Sequence, residues 1–243
     1  MTLFKSKRLG TKYGGWARLP IHKFNSETII YSFGAGEDIS YEFILSGLFD
    51  SRIYIFDPTP RAEQHFKDCI EILTNHDAGE YNKRFGGGDK EYNKYILNSD
   101  ANLNKISFLP YGLYDEDTKI NFFYPTESEH VSLSIDNLQE TEKYIELEVK
   151  KIDTLCRINN HDNIDVIKMN IEGAEVRSLQ YMLDNTDLKP KYISVKYELL
   201  RDKNNAETQL MMNRLIDTLN KFYNVHYKNT RQYNYTYVLK TNL

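Results

Sequence analysis

The chain has 243 residues, 40% of them apolar, and a formal net charge of −4. That length suits one α/β domain with insertions, and the apolar share is enough for a sizeable core. The acidic balance argues against a broad nucleic-acid footprint, which shows as a basic face. No apolar run approaches a membrane-spanning length.

In chain order, the N-terminal stretch "MTLFKSKRLGTKYGG" has basic residues but no apolar h-region, so no secretory signal is expected. Thr28–Phe33 is apolar, β-branched and aromatic, and predicts a buried strand. Asp38–Phe49 carries Ile39, Phe43, Ile44 and Leu48 at helical spacing. Ile53–Phe56 predicts a second strand, and Ala62–Leu73 a helix with Phe66, Cys69, Ile70 and Leu73 on one face. Residues 77–104, with Gly86-Gly87-Gly88 inside, read as a mobile insertion, because glycine loses the most backbone entropy on ordering.

Ile106–Leu109 predicts a third strand. Residues 119–152 interrupt the alternation: "KINFFYP" and "YIELEVKKI" each alternate like half-exposed strands, so an inserted β-hairpin or flap is expected. Asp165–Met169 predicts a fourth strand, followed by a helix to about Leu183. Lys191–Tyr197 predicts a fifth strand, Ala206 to Phe222 a helix, and the closing "NVHYKNTRQYNYTYVLK" two β runs joined by a polar turn. Strands alternating with helices imply a parallel sheet covered on both faces, with the terminal hairpin adding an antiparallel edge.

Two cysteines, Cys69 and Cys156, lie far apart without a CxxC or a Cys/His ligand spacing. That favours a reducing compartment and a cytoplasmic protein without a disulfide framework. The histidines His22, His65, His76, His161 and His226 form no ligand pattern, so no structural metal is expected.

In an open parallel sheet, ligands bind beyond the carboxyl ends of the strands. Gly34 and Gly36 follow the first strand directly, where glycine permits a tight turn and close approach of a ligand. Asp57 ends the next strand, where a carboxylate can accept hydrogen bonds from ribose hydroxyls. A plain strand-to-helix turn is the alternative for the glycines alone. The third glycine of a dinucleotide fingerprint is missing, and Glu37 and Asp38 open the helix, where they would repel a pyrophosphate. A donor with an ammonium and a sulfonium tolerates them, which favours S-adenosylmethionine over a dinucleotide.

"YSFGAGEDISYEFIL", "IYIFDPTP" and "DVIKMNIEGAE" together resemble the FkbM-type family of S-adenosylmethionine-dependent methyltransferases, and the resemblance runs from "RLGTKYGGW" to "YTYVLK". It implies the class I methyltransferase (Rossmann-like) fold: a seven-stranded sheet whose last strand is antiparallel, in one domain over residues 1–243. Residues 1–26, with Gly14, Gly15 and Trp16, would form a cover over the donor pocket. The implied donor-binding residues are Ser32, Gly34, Ala35, Gly36, Glu37 and Asp38 on the first turn, Asp57 and Pro58 after the second strand, Tyr111 and Gly112 near the adenine, and Asn170. Lys168–Glu175 matches the family pattern K-x-D-x-E-G-A-E except that Asn170 stands in place of Asp, which removes a charge. Lys196 and Glu198 stand where related sequences show Glu and His.

Methyl transfer to a hydroxyl needs a group that accepts its proton. His130, flanked by Ser128, Ser132 and Ser134, has the ordinary pKa for that work, or is a solvent-facing loop histidine. Glu172 and Glu198 are the other candidate bases, with Asn170 beside them in the catalytic set; Glu172 can equally serve to orient the start of a helix. The resemblance implies O-methylation of a carbohydrate, either a glycan or an activated sugar, since similar proteins act on sugar or polyketide hydroxyls. A cap-ribose 2′-O-methyltransferase is an alternative, disfavoured by Asn170 and the net charge. The other alternative is a degenerate methyltransferase fold kept as a binding module. Homo-oligomerisation is left open.

Overall fold

The computed structural model describes residues 8–16, 23–76, 92–124, 133, 135, 141–198 and 205–242. Contacts group the chain into two compact units, Met1–Pro110 with Glu129–Val131 and Tyr111–Ser128 with Ser132–Leu243.

The first unit carries β1 (Ile29–Phe33), α1 (Ser40–Phe49), β2 (Arg52–Phe56), α2 (Pro60–Asn75), α3 (Tyr92–Leu97) and β3 (Ile106–Leu109). β1 runs parallel to β2 and β2 to β3, in a register that sets Phe33 opposite Phe56 and Phe56 opposite Leu109. The three strands therefore end level with one another, and the segments after them leave from one edge. Apolar residues dominate β1 and β2, which are buried along most of their length. The Tyr31 and Phe33 rings each lie 4.8 Å from that of Phe56. Fully burying such a ring contributes roughly 1.5–3 kcal/mol.

Helix boundaries follow local chemistry. Pro60 opens α2, where its missing N–H costs nothing, and Thr59 caps it, its hydroxyl accepting the Ala62 N–H at 3.3 Å. α1 and α2 end on Asp50 and His76 in the left-handed conformation. α3 falls inside 77–104, where the sequence suggests only a loose insertion. Tyr92 and Ile96, four residues apart, bury one face of it, too short a signal to stand out. The triple glycine lies outside the described residues.

The second unit carries β4 (Gly112–Leu113), β5 (Thr118–Phe123), β6 (Tyr144–Lys150), α4 (Ile152–Ile158), β7 (Val166–Met169), α5 (Glu175–Asn185), β8 (Tyr192–Lys196), α6 (Ala206–Phe222), β9 (Tyr223–Asn229) and β10 (Asn234–Leu239). β5 and β6 form the expected antiparallel pair, and β4 joins β6 in parallel to make a three-stranded sheet. β7 runs parallel to β8, while β10 is antiparallel to both β8 and β9.

Seven strands make one mostly parallel sheet in the order β3-β2-β1-β7-β8-β10-β9. This is the α/β class I methyltransferase architecture, with the last strand of the chain reversed. That strand does not lie at the edge, as the terminal hairpin suggested. β10, with Thr236, Tyr237 and Val238 buried, sits inside, and the more polar β9 takes the edge. Polar edge strands resist pairing with other chains.

Candidate functional site

In the first unit, the turn after β1 is built on two left-handed glycines, Gly34 at φ 84° and Gly36 at φ 51°. No atom lies within 4 Å of where a Gly36 Cβ would stand, so its backbone angle, not crowding by the chain, calls for glycine. Asp57, buried at the end of β2, fastens this turn. One carboxylate oxygen accepts the Ala35 and Gly36 N–H groups, each at 3.0 Å. The other accepts the Thr59 N–H at 2.9 Å and the Thr59 hydroxyl at 2.6 Å. A carboxylate offers about four acceptor sites. Asp57 thus both shapes the glycine turn and seats the cap of α2.

Glu37 and Asp38, expected to repel a pyrophosphate, each have partners in this unit. Glu37 is buried and forms a two-pronged ion pair with Arg61, one contact at 3.0 Å. Asp38, 5% exposed, accepts the Ser40 N–H at 3.1 Å, the Ser40 hydroxyl at 2.6 Å, the Gly14 N–H at 3.0 Å and the Thr11 hydroxyl. Burial pushes the Asp38 carboxyl above its usual range, while the bonds from Ser40 and Thr11 pull it down. The Glu37 charge is matched by Arg61, while the Asp38 carboxylate is held by neutral donors. Ser32 is fully buried and donates its hydroxyl to Glu42 at 2.6 Å; Pro58 is half-buried beside Asp57.

Residues 9–16 of the expected cover fold back on themselves, Leu9 and Trp16 exchanging backbone hydrogen bonds at 2.9 Å. A Cβ on Gly14 would stand 2.7 Å from that of Asp38, so glycine lets the backbone reach the carboxylate.

Behind α1 lies a polar cluster that single-sequence spacing does not reveal. The Tyr92 hydroxyl accepts the Ile39 N–H at 3.1 Å and lies 2.8 Å from His65 Nε2. Cys69 Sγ lies 3.6 Å from both His65 and Tyr92. Burial lowers His65 to about 3, so the ring is neutral. Burial raises the Cys69 thiol, which makes it inert rather than nucleophilic.

In the second unit, the segment after β7 turns through Glu172 at φ 54° and Gly173 at φ 116°. Glu175, fully buried at the start of α5, holds that turn by accepting the Ile171 N–H at 3.0 Å and the Gly173 N–H at 3.1 Å. Burial lifts Glu175 to about 7, against the pull of those backbone bonds. Asn170 is half-buried, and its Oδ1 is buried with no hydrogen-bond partner among the described residues. Lys168 is buried within β7. Glu198, 9% exposed, forms an ion pair with Lys196.

Tyr111 and Gly112 were expected on a turn after the third strand. Gly112 instead belongs to β4, paired with Val149, because Leu113 is drawn into burial beside it. The Lys150 ammonium lies 5.7 Å from the Tyr111 ring centroid. His130 lies outside the described residues. Among the described residues no group of three or more His, Cys, Asp or Glu could hold a metal ion, and no helix is long and apolar enough to cross a membrane.

A family profile, that of the methyltransferase FkbM domain, matches residues 50–235. No curated protein sequence matches. Among solved structures, the chain is similar to an rRNA methylase from Streptococcus thermophilus, at 11% identity and a TM-score of 0.42, over 90% of this chain and 89% of that one. The profile spans well over half of the sequence, from the residues before β2 into β10, and takes in both Asp57 and the "IEGAE" turn. The chain belongs to the FkbM methyltransferase family.

Proposed function

We propose that this chain is an S-adenosylmethionine-dependent O-methyltransferase that modifies a hydroxyl of a carbohydrate, a glycan or an activated sugar. The observation that carries the reading is the Gly34–Gly36 turn at the level ends of three parallel strands, fastened by the buried carboxylate of Asp57. Open strand ends of this kind are where α/β sheets bind ligands. The space beyond Gly36 gives such a ligand room. Gly34, Ala35, Gly36 and Asp57 would hold the donor, and Glu37, Asp38, Ser32 and Pro58 would set the shape of the turn.

The donor supplies an electrophilic methyl carbon on a sulfonium. The chain's own residues must then align a hydroxyl and accept its proton. Alignment alone is worth roughly 7–11 kcal/mol in favourable cases, and a positioned base about 10²–10⁴-fold. Glu198, steadied by Lys196, and Glu172, on left-handed backbone, are the proposed proton acceptors. The carbohydrate assignment draws support from Tyr124 and Tyr144 at the ends of the β5–β6 pair, 42% and 55% exposed. Flat exposed rings beside polar strands suit stacking on a sugar.

The test has two parts. S-Adenosylmethionine is titrated into the protein by calorimetry, and glycans from cells with and without the gene are compared by mass spectrometry. Micromolar donor binding, with a sugar lighter by one methylene when the gene is deleted, is the expected result. Absence of donor binding would leave a binding module, and a lost methyl on RNA ribose would point to the nucleic-acid reading.

A further inference from the structure

The glycine turn is held from two sides, and the second anchor comes from the N-terminal segment. Thr11 is fully buried. Its hydroxyl donates to Asp38 Oδ2 and accepts the Tyr13 and Gly14 N–H groups at 3.1 and 3.0 Å. Its backbone N–H donates to the Ser40 hydroxyl at 3.0 Å, and that hydroxyl donates to Asp38 Oδ1. Asp38 closes the turn in its own backbone, its N–H donating to the Ala35 carbonyl at 3.2 Å. The Ala35 N–H in turn donates to Asp57. Hydrogen bonds joined through the covalent chain of Asp38 and Ala35 therefore link Thr11 to Asp57. Buried networks of this sort are rigid only when every member is satisfied.

We propose that Thr11 is a positioning residue for the Gly34–Asp38 turn: acting through the Asp38 carboxylate, it holds the turn in the shape that receives the methyl donor, so the N-terminal segment sets donor affinity. This rests on the reading of that turn as the donor site. Gly14 belongs to the same device, since any side chain there would displace Asp38. A threonine is suited to the position because one hydroxyl can donate to the carboxylate while accepting amide protons.

The experiment uses the full chain with Thr11→Val, which keeps the volume and removes the hydroxyl, and Thr11→Ser, which restores it. Thr11→Ala carries the same test should the valine variant not fold. Two readouts are taken: S-adenosylmethionine affinity by calorimetry and amide hydrogen exchange over residues 34–40. Thr11→Val is expected to weaken the donor at least tenfold and to raise exchange over 34–40, with β2 amides unchanged and Thr11→Ser within about threefold of wild type. Wild-type affinity in Thr11→Val, or failure of serine to rescue, overturns the proposal. If the wild-type protein binds no donor, the donor-site reading fails by itself; unchanged exchange over 34–40 in Thr11→Val then also removes the anchoring role, while raised exchange retains it for whatever ligand the turn holds.

Discussion

The Asp57 carboxylate accepts the Gly36 backbone N–H at 3.0 Å, so the acid that ends β2 fixes the left-handed glycine that follows β1. Asp57→Ala would leave the Ala35 and Gly36 N–H groups without this acceptor, at about 1–3 kcal/mol for the buried Ala35 donor. Asp57→Asn is milder. Its carbonyl oxygen can keep the two turn amides while its NH₂ faces Thr59, whose hydroxyl can rotate to accept but whose backbone N–H loses its acceptor. The expected order of donor affinity by calorimetry is wild type, then Asn, then Ala, with Ala weaker than wild type by tenfold or more. Equal affinity in all three would detach Asp57 from the site.

Two glycines of the first unit separate backbone conformation from crowding. A Cβ on Gly36 meets nothing, so Gly36→Ala costs only the left-handed conformation, about 1–2 kcal/mol. A Cβ on Gly47 in α1 would stand 2.8 Å from the Ser99 carbonyl carbon and nearer still to its oxygen. Backbone cannot rotate away, so Gly47→Ala overpacks and is expected to cost about 3 kcal/mol or more. Urea denaturation should rank Gly47→Ala well below Gly36→Ala in stability. Donor titration should reverse the ranking, because only Gly36 faces the space assigned to the ligand.

The strands were legible because buried parallel strands read as continuous apolar runs, as in Thr28–Phe33 and Ile53–Phe56. α6 was legible from its periodicity over seventeen residues. α3 and α4 were not, since six or seven residues carry too few periods, and α4 follows β6 after a single residue. At the site, the glycine turn and Asp57 could be read from spacing. The partners of the buried polar groups could not: Glu37 meets Arg61, Asp38 meets Thr11, and His65 meets Tyr92 across 24, 27 and 27 residues of chain. Glu175 was the exception in principle. Its partners, Ile171 and Gly173, are four and two residues away, within reach of a local reading.

Glu198 and Lys196 flank Tyr197 at the end of β8 and form an ion pair. If Glu198 takes the proton from the acceptor hydroxyl, Glu198→Gln should lower turnover by about 10²–10⁴-fold while donor affinity stays within twofold. Glu172→Gln tests the competing assignment in the same way. A loss of donor binding in Glu198→Gln would assign that residue to the fold or the donor site, and unchanged turnover in both variants would remove both from the proton step.

Two buried groups give stability opposite dependences on pH. Glu175 titrates at about 7 in the folded chain against 4.5 unfolded. Between those values the folded state holds the extra proton, so this group's contribution is greatest below 4.5 and is lost as pH rises to 7, by about 3 kcal/mol. His65 titrates at about 3 folded against 6.5 unfolded. There the unfolded state holds the extra proton, so its contribution is present above 6.5 and is lost as pH falls toward 3, by about 5 kcal/mol. The stability of wild type minus Glu175→Gln should therefore shrink from pH 4.5 to 7, and that of wild type minus His65→Gln should grow from pH 3 to 6.5. Chemical denaturation at half-unit pH steps measures both differences. A Glu175 difference that holds constant would mean the carboxylate stays ionised, with the Ile171 and Gly173 amides outweighing its burial. A constant His65 difference would mean that the imidazole is solvated and its bond to Tyr92 is open.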